Sequence, residues 1–283
     1  DVTFQSERVP SKLQALGQPS VKQMLAKVGA TTSAPAALPT SVDLRPWCSP
    51  IEDQKTIGSC TAHAGVGLVE YFERRAFGKH LDASRLFLYK VTRNLLKWTG
   101  DTGAFLRSTM YALTLFGVPP EEYYPYNIAD FDKEPSAFCY AFGQSYQAIS
   151  YYRLDPPGTT RSNLLTQIKT YLANGLPSMF GFTVYSSISQ GNTTGKIPYP
   201  TRGERVLGGH AIDAVGYDDN LKIKNTNPGG IETTGALLIR NSWGTGWGSA
   251  GYGWLPYKYV LDGLATDWWS LIKSEWIDTG QFG

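Results

Sequence analysis

The sequence predicts an α+β protein, because helix-like and strand-like segments fall in different halves of the chain. Three segments with helical apolar periodicity lie at 59–78, 82–96 and 104–116. Five strand-like segments lie at 146–154, 178–184, 210–217, 236–241 and 252–260, separated by Gly-rich turns, with one further helix at 161–174. Elements segregated in this way are typical of two packed lobes with a cleft between them.

Capping and breaking residues set the predicted boundaries. Gly78 ends the first helix, Asp82 is the predicted N-cap of the second, and the third stops before Gly117. Between the strands, residues 186–209 are predicted to form a long, mobile polar loop. Residues 220–235 are predicted to form a surface loop inserted between two strands.

Composition narrows the functions open to this 283-residue chain. The net charge is +2 and no Lys/Arg run follows a phosphate backbone, so we expect no nucleic-acid partner. No apolar stretch is long enough to span a membrane. The three Cys and three His show no metal-ligand spacing, so we expect neither a metal nor an organic cofactor. The cysteines do not fix the compartment, although we favour a secreted or periplasmic protein over a cytoplasmic one.

Cys60 is the candidate nucleophile. It lies at the predicted start of the first helix, directly after Gly58 and Ser59. The partial positive charge of a helix N-terminus and its unpaired backbone N–H groups favour the thiolate, which is the nucleophilic form. Taken alone, the residue fits a buried structural cysteine better, because buried free cysteines are common.

His210, Asn241 and Gln54 are candidate partners of this thiol. His210 follows two glycines that leave room for a substrate backbone, and Asn241 follows another strand, from which it can fix the imidazole tautomer. Gln54 lies six residues before Cys60, and its NH2 group is suited to an oxyanion. Taken singly, His210 fits an ordinary core histidine and Gln54 a surface glutamine.

Four sequence blocks together resemble the papain family of cysteine peptidases. They are VDLR at 42–45, Gln54 with GSC at 58–60, GGHAIDAVGY at 208–217, and IRNSWGTGWGSAGYGWL at 239–255. The order Gln, Cys, His, Asn matches that family, and the block Asn-Ser-Trp-Gly-x-Gly-Trp-Gly at 241–248 is highly specific. The similarity covers about residues 38–260.

The resemblance implies a papain-like two-lobed fold, with a helical lobe and an antiparallel β-barrel-like lobe. It implies a cysteine endopeptidase acting on peptides or proteins, in which Cys60 forms a thioester acyl-enzyme and His210 is its proton partner. Asn241 would orient His210, and Gln54 would complete the oxyanion hole. Two family features are missing, because Ile57 and Thr61 stand where relatives carry an additional Cys and an aromatic residue. The bridge made by that additional Cys is therefore absent.

The resemblance also suggests substrate-binding residues. Gly181 and Gly209 would leave the main specificity pocket open to bulky side chains, and the turn 100–103 would pair with an extended substrate. Asp101 is better explained as the cap of the helix at 104. Trp243 would shield the His–Asn hydrogen bond, and Trp247 would line the leaving-group side. The full set is Gly100, Asp101, Thr102, Gly103, Gly181, Gly208, Gly209, Trp243 and Trp247.

The resemblance divides the chain into three parts. Residues 1–37 form an N-terminal extension, with too few large apolar residues to fold alone, that we expect to cover the cleft as a zymogen segment does. A disordered tail is the alternative. Residues 38–145 form the helical lobe with the nucleophile, and residues 146–283 form the β-rich lobe with His and Asn and a C-terminal extension. We expect a monomer.

Other residues and functions compete with this assignment. His63, three residues after Cys60, is expected to point into the protein, and Cys48 and Cys139 are expected to be free rather than paired. An acyl transferase or ligase using the same residues stays open. A catalytically inactive peptide-binding protein also stays open, although the intact Cys60 and His210 argue against it.

Overall fold

The computed structural model describes residues 37–146 and 150–272, and it confirms the α+β class. Numbered in chain order, the helices are α1 (Cys60–Phe77), α2 (Arg85–Leu96), α3 (Leu106–Leu115), α4 (Ala137–Gly143), α5 (Arg161–Ala173) and α6 (Tyr257–Leu261). The strands are β1 (Ser41–Asp43), β2 (Ser150–Arg153), β3 (Ser178–Tyr185), β4 (Val206–Lys224), β5 (Glu232–Arg240), β6 (Tyr252–Pro256) and β7 (Ala265–Ile272). None of the helices in these two ranges has the length and apolarity needed to cross a membrane.

One antiparallel sheet contains all of these strands. Its order is β2-β7-β3-β4-β5-β6, and β1 pairs with the distal part of β4. The long strand β4 places His210 opposite Phe182 of β3 and Asp213 opposite Arg240 of β5. Asn241 follows Arg240 directly, so the end of β5 brings its side chain to the part of β4 that carries His210.

The helical first half contains the three predicted helices, but the residue that caps the second differs from the prediction. Helix α1 ends at Gly78, whose φ of 71° is readily adopted only by glycine and whose N–H bonds the Arg74 carbonyl. Helix α2 is capped by Ser84, whose hydroxyl accepts the Phe87 N–H. The prediction of Asp82 as its N-cap is therefore wrong, and the Asp82 carboxylate pairs with Arg85 instead.

Two predictions in the second half also need correction. The segment 252–260 is not one strand, because β6 ends at Pro256 and α6 starts at Tyr257. Proline lacks the N–H that a continuing strand would donate. The segment 220–235 is not a simple loop, because β4 and β5 extend into it as a hairpin and leave only residues 225–231 outside the strands.

Some helices and strands have no local sequence signal and depend on tertiary contacts. Strand β1, helix α4 and strand β7 were not predicted. The predicted loop 186–209 contains a short 3-10 helix and the first residues of β4. The Glu204 carboxylate holds this loop in place, because it accepts hydrogen bonds from the Ser187 and Thr201 backbone N–H groups and from Asn225 Nδ2.

Candidate active site

Cys60 is the first residue of α1 and is partly exposed. Burial raises the pKa of its thiol, whereas the backbone N–H groups of Ala211, Thr61 and Cys60 itself lower it. Ala211 follows His210 in β4, so the strand that carries the imidazole lies against the sulfur. The predicted position of Cys60 at the start of the helix is confirmed.

His210 is buried and its orientation is fixed by Asn241. His210 Nε2 lies 2.8 Å from Asn241 Oδ1, and the same oxygen accepts the Ser242 backbone N–H at 2.8 Å. Because this Asn241 atom accepts the Ser242 proton, it is the carbonyl oxygen, and His210 Nε2 must be the donor. The neutral ring therefore carries its proton on Nε2, which leaves Nδ1 as the nitrogen able to take a proton.

Aromatic rings enclose the imidazole. The Trp243 ring stacks on His210 with centroids 4.6 Å apart and planes 20° apart, and Phe182 approaches edge-on at 5.9 Å. Trp247 packs against Trp243 at 5.4 Å in a T-shaped contact. Burial lowers the pKa of His210 to about 4, and the Asn241 hydrogen bond partly offsets this effect.

These surroundings disfavour either charge alone. Burial acts against a lone thiolate at Cys60 and against a lone imidazolium at His210. In general, a proton moved from a thiol to an adjacent imidazole creates two opposite charges, whose attraction offsets part of the desolvation of each. Burial alone therefore leaves each group neutral unless an opposite charge lies next to it.

Gln54 is buried, not a surface glutamine, and is joined to the His–Asn pair through Ser242. Ser242 Oγ donates to Gln54 Oε1 at 2.7 Å, and the Gln54 backbone N–H bonds the Ser242 carbonyl at 2.8 Å. Gln54 Nε2 donates to the Ile57 carbonyl at 3.0 Å. A carboxamide nitrogen carries two protons, so the second N–H of Gln54 is left for another acceptor.

Tyr126 braces the same region from the helical side. Its hydroxyl donates to the Gln54 carbonyl at 2.9 Å and lies 2.6 Å from Ser59 Oγ, in the residue before the nucleophile. Because the Tyr126 proton is used toward Gln54, the Ser59 hydroxyl is the donor in the second contact. No motif in the sequence indicated this contact between Tyr126 and the nucleophile loop.

The turn 100–103 lies beside the nucleophile loop, but some of its backbone N–H groups already form hydrogen bonds within the protein. The Gly100 N–H bonds Asp132 Oδ2 at 3.0 Å, and the Gly103 N–H bonds the Tyr89 hydroxyl at 3.1 Å. Thr102 is exposed. The prediction that Asp101 caps the helix at 104 is wrong, because α3 begins at Leu106 and its N-cap position has no side-chain hydrogen bond.

The three remaining glycines differ in their surroundings. Gly209 is exposed, and Gly208 adopts a φ of 150°. Gly181 is buried opposite Ala211, and a Cβ there would already contact Leu106 Cδ1 at 3.4 Å. The space next to Gly181 is therefore filled by Leu106, so only Gly209 fits the expectation of an open pocket wall.

A buried polar cluster beneath the site was not predicted from the sequence. Arg240 donates to Ser49 Oγ at 3.0 Å and lies 3.9 Å from Asp213, and Ser49 in turn donates to Glu70 at 2.5 Å. Gly67 of α1 leaves the room that the Arg240 and Asp213 side chains occupy. These residues join α1 to β4 and β5 by polar contacts rather than by apolar packing.

The other histidine and cysteine expectations are consistent with the structure. His63 is buried, its Nδ1 donates to the Ser59 carbonyl at 3.0 Å, and burial lowers its pKa to about 3. Cys48 and Cys139 are free and buried. His63 Nε2 has no hydrogen-bond partner and lines a small cavity together with Asp213.

Comparison with known proteins identifies the class. The model of the papain family of cysteine proteases matches residues 38–262. An uncharacterized peptidase C1-like protein of Acanthamoeba polyphaga mimivirus is 34% identical over 223 residues, covering 77% of this chain and 68% of that protein. Cathepsin B-like CP3 of Giardia intestinalis is 28% identical over 279 residues, covering 86% and 81%.

Solved structures agree with this match. Xylellain, a cysteine protease from Xylella fastidiosa, has a TM-score of 0.72 at 34% identity, covering 84% of this chain and 87% of that chain. The bromelain protease from Ananas comosus has a TM-score of 0.60 at 20% identity, covering 83% and 100%, and supports the fold alone. The chain belongs to the papain family of cysteine proteases, and cysteine peptidase activity follows from that membership.

Proposed function

We propose that this cysteine peptidase is an endopeptidase that cleaves peptide bonds with Cys60 as nucleophile, His210 as proton carrier and Asn241 as the group that orients His210. The observation that carries the proposal is the 2.8 Å hydrogen bond from His210 Nε2 to Asn241 Oδ1. It leaves Nδ1 as the basic nitrogen on the strand that lies against the Cys60 sulfur.

The first chemical step is attack on the substrate carbonyl. His210 Nδ1 holds the proton from Cys60, and the thiolate sulfur forms a bond to the carbonyl carbon while the C=O π electrons move to oxygen. The oxyanion accepts hydrogen bonds from the Cys60 backbone N–H and from the uncommitted N–H of Gln54 Nε2. Ser242 supports this geometry by holding Gln54 Oε1.

The second step releases the amine. The oxyanion electrons re-form the C=O bond, the C–N bond breaks, and His210 Nδ1 gives its proton to the leaving nitrogen. A thioester on Cys60 remains. Water then attacks the thioester while His210 takes its proton, and the C–S bond breaks to release the acid. Trp243 supports both steps, because its ring covers the imidazole and excludes water from the His–Asn hydrogen bond.

The remaining substrate-binding assignments belong to the same proposal. Gly100, Asp101, Thr102 and Gly103 form one rim beside the nucleophile, and Gly208 and Gly209 form the other beside His210. Because the N–H groups of Gly100 and Gly103 are used internally, substrate pairing on the first rim is left to the other backbone groups. Trp247 supports the leaving-group side through Trp243. Gly181 acts only through Leu106, which covers it.

We also propose the division of the chain into 1–37, 38–145 and 146–283. Residues 1–36 lie outside the described part of the chain, so the proposal that this extension limits access to the cleft rests on sequence alone. Deleting residues 1–37 should raise the rate of peptide hydrolysis, and a synthetic peptide of that sequence should inhibit the truncated enzyme more strongly than the full chain. An unchanged rate contradicts the proposal.

A fluorogenic peptide panel tests the proposed function. Wild type, Cys60→Ala and the matched control Cys139→Ala are compared under reducing conditions, and the products are identified by mass spectrometry. Cys139 is buried and its thiol bonds the Tyr123 carbonyl, outside the site. We expect Cys60→Ala to lose at least about 10³-fold in rate and Cys139→Ala to retain activity.

The products separate the alternatives. Cleavage at internal bonds supports an endopeptidase, whereas trimming from the ends alone contradicts it. Added hydroxylamine competes with water for the thioester. If most product is the amine adduct even when the competing amine is dilute, the chain is an acyl transferase. If no peptide is cleaved while the protein still binds peptides, it is an inactive binding protein.

A further inference from the structure

Asp101 contacts the loop that carries the nucleophile. Its Oδ1 accepts the Gly58 backbone N–H at 2.8 Å, and Gly58 lies two residues before Cys60. Gly58 is itself tightly enclosed, because a Cβ there would lie 3.2 Å from the Gly103 nitrogen and 3.3 Å from Asp101 Oδ1. The turn that holds Asp101 therefore packs directly against the nucleophile loop.

The Asp101 carboxylate is held in place from helix α2. The Tyr89 hydroxyl donates to Asp101 Oδ1 at 2.5 Å and accepts the Gly103 N–H at 3.1 Å. Tyr89 is fully buried, and the Arg93 guanidinium lies over its ring at 4.1 Å. The carboxylate oxygen that holds Gly58 is thus positioned by a side chain that cannot itself move freely.

The start of the same turn is fixed by buried charge. Arg93 is fully buried and bonds the Gly100 carbonyl, the Phe131 carbonyl and Asp132 Oδ1. Asp132 Oδ2 accepts the Gly100 N–H at 3.0 Å. Both backbone groups of Gly100 are therefore held, so the turn is anchored at its first residue as well as at Asp101.

We infer that Asp101 is a positioning residue for the proposed reaction, which holds the Gly58 amide, and with it the Cys60 backbone N–H, in the geometry that an oxyanion requires. It does this by hydrogen bonds, in a chain that lacks the additional Cys expected at Ile57 and hence the covalent bridge that would tie this loop. This role rests on the proposed function and replaces both the helix-cap and the direct substrate-binding assignments of Asp101.

The charge of Asp101 has a separate effect on the thiol. Burial raises the pKa of Cys60, and the negative charge of Asp101 raises it further. An amide at position 101 keeps an oxygen for Gly58 and Tyr89 but has no charge. The hydrogen-bond role and the charge effect therefore predict different results for Asp101→Asn and Asp101→Ala.

The experiment compares these two variants with wild type and with Asp43→Ala. Asp43 is a matched control, because it is also an exposed aspartate that accepts a backbone N–H, from Arg45, but on strand β1. Three quantities are measured: kcat/KM for a cleaved peptide, the pH dependence of Cys60 alkylation by iodoacetamide, and hydrogen exchange at the Gly58 amide. Thermal unfolding of each variant checks the fold.

We expect Asp101→Ala to lose about 10- to 100-fold in kcat/KM, because small displacements of catalytic groups are costly. Its Gly58 amide should exchange at least about 10-fold faster than in wild type. Asp101→Asn should be markedly more active than Asp101→Ala and should keep slow Gly58 exchange. Its alkylation profile should shift to lower pH, because the opposing charge is gone.

Two results overturn the inference. One is Gly58 exchange in Asp101→Ala that stays as slow as in wild type and in Asp43→Ala. The other is an Asp101→Asn variant as inactive as Asp101→Ala. Hydrogen exchange does not depend on turnover. If wild type cleaves no peptide but the Gly58 amide exchanges fast in Asp101→Ala, the proposed function is contradicted and the Asp101 contact with Gly58 is still supported.

Discussion

Ser242 Oγ donates a hydrogen bond of 2.7 Å to Gln54 Oε1 and so joins the two sides of the proposed active site. The Ser242 backbone N–H also bonds Asn241 Oδ1, which holds His210. One serine therefore contacts both the group that orients the base and the proposed oxyanion donor. Ser242 therefore connects the residues of the proposed acid–base and oxyanion functions by hydrogen bonds.

Ser242→Ala should lower kcat by up to about 10-fold, because Gln54 loses the partner that fixes its carboxamide, although its oxyanion N–H remains. The matched measurement is a double-mutant cycle with Gln54→Ala. In the Gln54→Ala background, Ser242→Ala should have little further effect. Equal losses in both backgrounds would show that Ser242 acts independently of Gln54.

Asn241→Ala should lower kcat/KM by about 10²-fold, because the imidazole loses the acceptor that selects the Nε2–H tautomer. It also leaves the buried Ser242 N–H unpaired, which should cost about 1–3 kcal/mol in the free energy of unfolding. Steady-state kinetics and urea unfolding measure the two effects separately. Wild-type kinetics in a folded Asn241→Ala variant would remove Asn241 from the mechanism.

Gly67→Ala should destabilise the protein by about 1–3 kcal/mol, because a methyl group there would overlap Arg240 Nη1 and press on Asp213. Gly246→Ala is the matched control, since a Cβ at that position meets no atom within 4 Å. Urea unfolding of both variants measures the difference. An equal and small effect of the two substitutions would mean that Arg240 moves aside freely.

Glu204 should contribute stability that is lost in acid. Burial raises the pKa of its carboxyl, but hydrogen bonds from Ser187, Thr201 and Asn225 prevail and lower it from 4.5 to about 2. Because the folded pKa is below the unfolded one, the contribution is present above about pH 4.5 and disappears as the pH falls toward about 2.

Glu204→Gln tests this contribution. Urea midpoints of wild type and variant at about pH 6 and about pH 3 should differ more at the higher pH, since part of the stabilisation by the ionised carboxylate is already lost at about pH 3. Glu122→Gln, at an exposed glutamate of the helical half, serves as the control. A wild-type–variant gap that is the same at both pH values would contradict the assigned role of the Glu204 carboxylate.

The sequence predicted those helices and strands for which local signals and tertiary structure agree. Small and apolar residues, with Gly78 after them, identified α1, and the mostly apolar segment at 178–184 identified β3. The order of Gln54, Cys60, His210 and Asn241, with the six-residue spacing from Gln54 to Cys60, predicted the candidate site, because each residue belongs to a specific block of the family pattern.

The sequence did not predict features that depend on contacts between residues distant in the chain. Asp101 looked like a helix cap, because caps are local, but its partner Gly58 is 43 residues away. The Arg240–Asp213–Gly67 arrangement likewise depends on how α1 crosses the sheet. Strand β7 has its partners in β2 and β3, which no local pattern at 265–272 indicates.

Trapping the acyl-enzyme tests the central claim most directly. The protein is mixed with a peptide p-nitrophenyl ester, quenched in acid and digested, and the three cysteine-containing peptides are weighed by mass spectrometry. We predict one acyl group on the peptide that contains Cys60, none on those with Cys48 or Cys139, and none in Cys60→Ala. An acyl group on another residue, or none at Cys60 while the ester is being turned over, would contradict the account.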